Sequence, residues 1–142
     1  MRFPNKYSSK YKAKKTECLL GHIHDSKKEA ERCNELNLLL KANEIRDLEY
    51  QKKFLLIPAL KKIVKTNGVY KKGVNKGKPK EREITEEKAV YYKADFYYYD
   101  NNKECYIIED TKGMKTKEYI IKRKLVKSIY CKKDSNTQFL ES

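Results

Sequence analysis

The 142-residue chain carries 34 Lys and Arg against 20 Asp and Glu, a formal net charge of +14, with 11% aromatic residues and no Trp. A single domain of this length buries about 70% of its unfolded surface, so a packed core is expected, and so large a charge imbalance suits a protein that meets polyanions, nucleic acid first. No stretch approaches the roughly 20 apolar residues that span a bilayer, and the opening Met1-Arg2-Phe3-Pro4 lacks the apolar core of a secretory signal; the expectation is a cytoplasmic protein with no membrane partner.

Residues 1–15 hold Arg2, Lys6, Lys10, Lys12, Lys14 and Lys15 and no acid. They read as a basic arm ahead of a single domain over 16–142, either solvated or ordered on a phosphate backbone. Thr16–Leu20 and His22–His24 then form a short hairpin around Gly21. Cys18, Cys33, Cys105 and Cys131 are irregularly spaced with no C-x-x-C pair, which argues against a zinc knuckle or a disulfide framework and for small apolar residues. Cys18 with His22 and His24 resembles a metal cluster but lacks a fourth ligand, so the hairpin reading is preferred.

Ser26-Lys27-Lys28-Glu29 is a capping-box pattern, with Ser26 capping a helix and Glu29 reaching back to the cap backbone. The helix should run from Lys27 to about Ala42. On a helical period Glu29 lines up with Cys33, Leu36 and Leu40, while Glu31 and Glu35 fall outside that stripe. Glu29 is therefore either a cap or an inward carboxylate. Glu44–Ile57 reads as a strand ended by Pro58. Between Ile63 and Lys88, Gly68, Gly73, Gly77 and Pro79 break the pattern, predicting a basic loop or projecting hairpin inserted at about 64–88. Lys71, Lys72, Lys76, Lys78, Lys80 and Arg82 charge it.

Val90–Tyr99 alternates, with Val90, Tyr92, Ala94, Phe96 and Tyr98 expected on a core face and Asp95 beside Lys93 on a polar one. A turn at Asp100-Asn101-Asn102-Lys103 leads to a return strand, Cys105–Lys112. On it Asp110 and Lys112 share one face while Ile107, Glu109 and Thr111 take the other, which puts a metal-binding acid beside a cation and lets the hairpin bring Asp95 to the same place. Gly113 permits a turn into a helix over Thr116–Tyr130. Ile121, Leu125 and Ile129, with Val126 beside them, should pack. Lys115, Lys117, Lys122, Lys124 and Lys127 populate the other faces and should attract phosphate. Thr137–Glu141 reads as a last strand, completing an α/β fold of the α+β kind with a mixed sheet.

That order, with Glu29 on the first helix, resembles the PD-(D/E)xK nuclease superfamily, whose restriction-endonuclease-like core is α-β-β-β-α-β. More narrowly, Ser26-Lys27-Lys28-Glu29-Ala30-Glu31, Ala94-Asp95-Phe96, Glu109-Asp110-Thr111-Lys112-Gly113 and the lysine-rich second helix look like a group of small, mostly phage-encoded proteins of that superfamily. The resemblance implies that Asp95 and Asp110 bind Mg²⁺ or Mn²⁺ with the backbone carbonyl of Thr111, that Lys112 is the signature lysine, and that Glu29 is a helix-borne catalytic acid and possible further metal ligand. Ala94 stands where the motif has proline, and a bulge would exchange Glu109 for Asp110. The implied activity is a metal-dependent DNA endonuclease acting on branched DNA in phage recombination or replication. By analogy with Holliday-junction resolvases it would act as a homodimer in the host cytoplasm. The alternatives are a non-catalytic nucleic-acid-binding protein on a nuclease scaffold and a phage protein that inhibits a host nucleic-acid enzyme.

Overall fold

A computed structural model describes residues 14–142. The basic arm, apart from Lys14 and Lys15, lies outside the described residues. The expected hairpin forms from β1 (Thr16–Glu17) and β2 (Ile23–His24), with Thr16 opposite His24. Its turn is closed by Cys18 N–H donating to the His22 carbonyl at 2.9 Å, with Gly21 at φ +83°, where a side chain would be strained.

Helix α1 spans Lys27–Lys41. Its start follows from Ser26, whose hydroxyl accepts from the Glu29 amide at 3.1 Å and satisfies one of the first-turn donors that have no helical partner. The other half of the expected capping box does not form. The Glu29 carboxylate turns to His24 and Gln51 instead, because its position in line with Cys33 and Leu36 takes it inward, away from its own cap.

The strand expected over 44–57 is two: β3 (Ile45–Tyr50) and β4 (Lys53–Ile57), separated at Gln51, which sits at φ 54°. The basic insertion is a projecting hairpin of β5 (Leu60–Val69) and β6 (Pro79–Glu87). Most of its residues are exposed, with only Val64, Thr66 and Ile84 partly screened. The strand expected over Val90–Tyr99 is likewise divided into β7 (Val90–Lys93) and β8 (Phe96–Asp100), followed by β9 (Cys105–Asp110), α2 (Lys117–Tyr130) and β10 (Thr137–Glu141). The fold is mixed α+β. Its four-stranded sheet has the order β10-β9-β8-β3, with β10 parallel to β9 and the other pairs antiparallel. β4 pairs with β7, and β5 with β6. Among the described residues no helix is long and apolar enough to cross a membrane.

The helices pack on opposite sides. Ala30, Cys33 and Leu36 of α1 meet Ile45, Phe96, Tyr98, Cys105 and Ile107, while Tyr119 and Val126 of α2 meet Phe54, Leu56, Tyr92, Ala94 and Ile108. β9 is thus covered on both faces, which explains why Ile107 and Ile108 are adjacent and both buried.

Two expectations about facing are corrected. Tyr92, Ala94, Phe96 and Tyr98 are buried as predicted, but Tyr92 and Ala94 join the α2 cluster whereas Phe96 and Tyr98 join the α1 cluster. The pleat is interrupted at Ala94–Asp95, where Gln51 N–H donates to the Asp95 carbonyl at 3.1 Å and Ala94 N–H to that of Lys52 at 2.9 Å; such an irregularity flips every later side chain to the other face. Asp95, expected on a polar face, is consequently buried in the kink. On α2 Val126 is buried and Leu125 packs partly buried beside it, as expected, but Ile121 is 62% and Ile129 38% exposed. Tyr119 is buried in addition, its hydroxyl at the ring's far end donating to Glu141 at 2.8 Å.

Candidate functional site

The carboxyl end of β9 is where the polar residues collect. Glu109, Asp110 and Thr111 are buried there in succession, and alternation sends the two acids to opposite faces of the sheet.

On the α1 face, Glu109 is fully compensated. Arg32 grips it bidentately, Nε to Oε1 at 2.6 Å and Nη2 to Oε2 at 3.2 Å, and the Tyr98 hydroxyl donates to Oε2 at 2.6 Å. Arg32 also holds Glu35 at 2.7 Å, and its bond to Glu109 outweighs burial to keep the guanidinium charged. The exchange of Glu109 for Asp110 that a bulge would cause does not occur.

On the α2 face, Asp110 is also buried, but its partners are fewer. The Tyr92 hydroxyl donates to Oδ2, and Lys112 Nζ stands 3.4 Å from Oδ1. That ammonium is not aligned as a hydrogen bond, and Oδ1 is buried with no hydrogen-bond partner. Burial raises the Asp110 carboxyl, Tyr92 and Lys112 oppose the rise, and the neighbouring Asp95 reinforces it, leaving Asp110 pushed up to about 6. The kink supplies Asp95, whose Oδ2 accepts from the Thr111 amide at 2.8 Å and from the Thr111 hydroxyl at 2.9 Å. Asp95, Asp110 and Lys112 therefore come together, with Thr111 locking the first aspartate to the strand that bears the second.

A cleft of about 330 Å³ opens over this end of the sheet, lined among others by Tyr91, Tyr92, Lys93, Asp110, Lys112 and Tyr119. A buried carboxylate oxygen without a donor, in a pair of acids whose mutual repulsion raises one of them, is a donor set suited to a hard divalent cation such as Mg²⁺ or Mn²⁺.

Glu29 is buried nearby but does not enter this group. Its Oε1 is shared by His24 Nδ1 and Gln51 Nε2, each at 3.0 Å, and it reaches Asp95 only through Gln51, whose amide bonds the Asp95 carbonyl. Among the described residues, the group of three or more His, Cys, Asp or Glu whose donor atoms converge is a different one, Cys18, His22, His24 and Cys33.

The basic residues divide into free and occupied. Lys71, Lys72, Lys76, Lys78, Lys80 and Arg82 lie exposed on the hairpin, and Lys117, Lys124 and Lys127 on α2. Lys115 is paired with Glu141 at 2.7 Å and Lys122 with Glu118 at 3.0 Å, which reduces their share in any phosphate contact. Arg32 and Tyr92, which settle the fates of the two adjacent acids, were not singled out by the sequence. Tyr92 carried a faint signal, since it lies on the same alternating stripe as Ala94; Arg32 carried none, because its partner is distant along the chain.

No curated protein and no solved structure matches the chain. The sequence pattern of one family, described as a protein of unknown function (DUF1064), matches residues 8–139, and the chain belongs to that family.

Proposed function

We propose that the protein is a divalent-metal-dependent DNA endonuclease acting on branched DNA, with Asp95 and Asp110 as the metal-holding acids. The observation that carries this reading is the buried, donorless Oδ1 of Asp110 with the Lys112 ammonium 3.4 Å away at the wall of an open cleft. The order α1, β3, β8, β9, α2, β10 supports it as well, since the superfamily it resembles uses the same succession.

A bound Mg²⁺ or Mn²⁺ would neutralise the scissile phosphate and make a water acidic enough to attack it at neutral pH. Asp95, held in place by the Thr111 amide and hydroxyl, and Asp110 would hold that ion, with the backbone carbonyl of Thr111 as a third protein ligand. Lys112, anchored on the same segment as Asp110, stabilises negative charge as it grows on the phosphate. Tyr92 keeps Asp110 from turning away. Glu29 acts outside this set. The exposed lysines of the hairpin and α2 supply phosphate contacts, so binding should weaken steeply with salt and show little base preference. Two copies of the chain would present one site to each strand of a junction.

The test is cleavage of labelled junction, flap, single-stranded and duplex DNA with Mg²⁺, Mn²⁺ or chelator. Asp110→Ala should lower the rate by about 10³-fold and Lys112→Ala by about 10²-fold, with DNA binding retained in chelator. Cutting that survives both substitutions would remove the assignment, and metal-independent binding without cutting would favour a nucleic-acid-binding protein.

A further inference from the structure

The amino-terminal hairpin poses a problem of its own. Its strands are two residues each, too short to be stable by themselves, and Leu19, Leu20 and Ile23 are exposed by 88%, 51% and 73%. Of its own apolar side chains only Cys18 is buried, so hydrophobic packing does little to hold it against α1.

What faces α1 instead is a closed set of soft ligands. Cys18 and His22 come from the turn, His24 from β2 and Cys33 from the buried stripe of α1, and their donor atoms all lie within 4.8 Å of one another. The two Sγ atoms are 3.5 Å apart, and Cys33 Sγ is 3.8 Å from His22 Nδ1. A disulfide would bring the sulfurs to about 2.05 Å, whereas tetrahedral zinc, with bonds of about 2.3 Å to sulfur and about 2.05 Å to nitrogen, sets sulfur–sulfur edges of about 3.8 Å and sulfur–nitrogen edges of about 3.5 Å. The spacing is that of ligands around a shared centre.

His24 supplies an independent observation. Its Nδ1 lies 3.0 Å from Glu29 Oε1, so a neutral imidazole donating from Nδ1 to that carboxylate would present its lone pair on Nε2. That Nε2 is buried and has no hydrogen-bond partner. A carboxylate behind an imidazole whose other nitrogen is vacant is the arrangement that orients histidines on zinc. Glu29 is braced in turn by Gln51, which holds the carboxylate in line behind the imidazole.

We propose that Cys18, His22, His24 and Cys33 form a structural zinc site that pins the hairpin to α1, with Glu29 as the positioning residue for His24. Two thiolates and two neutral imidazoles around Zn²⁺ make a centre of zero net charge, suited to three buried ligands and one exposed one, His22. Four protein ligands leave no open position, which makes the site structural. Thiolate sulfur selects against Mg²⁺, so this site and the one proposed at Asp95 and Asp110 would take different metals.

The test begins with the unaltered protein, purified without chelator and assayed for bound metal by mass spectrometry. About one zinc per chain is expected. Zinc replaced by Co²⁺ should show the thiolate-to-cobalt charge-transfer band and the intense visible bands of a tetrahedral ion, and these should be unchanged in Asp110→Ala, which separates this site from the proposed nuclease centre. Cys18→Ser combined with Cys33→Ser should abolish both zinc and spectrum. Glu29→Gln should retain the stoichiometry but lose zinc to a competing chelator at about 10-fold to 100-fold lower chelator strength. The proposal is overturned if zinc-supplemented protein holds no stoichiometric metal and cobalt gives no thiolate band, if the mass of the purified chain shows a Cys18–Cys33 disulfide, or if the double cysteine variant keeps its zinc.

Discussion

The two faces of the sheet at the end of β9 treat neighbouring acids in opposite ways. Toward α1, Glu109 receives a bidentate guanidinium and a tyrosine hydroxyl; toward α2, Asp110 receives one tyrosine hydroxyl, a lysine that is not aligned to bond it, and the repulsion of Asp95. Both acids are fully buried, so burial alone does not distinguish them. The difference lies in whether the buried charge has been answered by the protein: Glu109 is fully hydrogen-bonded, whereas Asp110 keeps an unpartnered oxygen and a raised carboxyl. In the function proposed above, a divalent cation supplies the missing partner.

The largest effect should separate the two by activity. Asp110→Asn keeps the shape of the side chain but halves its ligand capacity, and should reduce Mg²⁺-dependent cleavage by about 10³-fold, or about 4 kcal/mol in the barrier. Glu109→Ala should leave the rate per folded molecule near that of the unaltered chain. Single-turnover cleavage, normalised to the folded fraction by circular dichroism, decides it; equal losses in the two variants would erase the distinction between the faces.

Stability should reverse the ranking. Removing Glu109 leaves Arg32, whose side chain is 23% exposed, with Glu35 as its remaining carboxylate. The cost should be about 3 kcal/mol, at the lower end for a broken buried pair because the guanidinium keeps some solvent. In chelator, Asp110→Asn should instead stabilise the chain by about 1 kcal/mol, since it removes one of two crowded charges. Urea unfolding of both variants checks the signs, and destabilisation by Asp110→Asn in chelator would mean that the Tyr92 bond outweighs the repulsion.

Much of this contrast was legible in the sequence, because it follows from short-range rules. Ser26 announced the first helix start through its side-chain oxygen, and strand alternation placed Asp110 with Lys112 and apart from Glu109. What escaped was long-range or symmetric. A period-2 pattern reads the same on both sides of an irregularity, so the kink at Ala94–Asp95 that buries Asp95 left no trace in the alternation. Cys33 read as one more apolar position of α1, and only the docking of the hairpin against that helix brings it to Cys18, His22 and His24. The stripe Ile121, Leu125 and Ile129 was a true periodicity slightly rotated from the packed face: Leu125 and Val126 pack, while Ile121 and Ile129 face outward and Tyr119 with its Glu141 partner packs in addition.

The smallest effect is the dependence on pH, and it sharpens the comparison because a second acid serves as control. Glu141 is bound by Lys115, Tyr119 and Arg123, which together outweigh burial and lower its carboxyl from 4.5 to about 2. Its contribution should be fully present above pH 4.5 and be lost as the pH falls toward 2. Asp110 has the opposite sign. Its carboxyl is raised from 3.8 to about 6, so the folded state takes up a proton before the unfolded chain does. The metal-free protein therefore gains stability from this residue as the pH falls from above 6 to below 3.8. In chelator, the stability advantage of Asp110→Asn over the unaltered chain should shrink across that window, while the deficit of Glu141→Gln should hold down to pH 4.5 and close only below it. If the Asp110→Asn advantage were constant from pH 7 to pH 4, the acid would already be answered within the fold, and the face toward α2 would resemble the one toward α1.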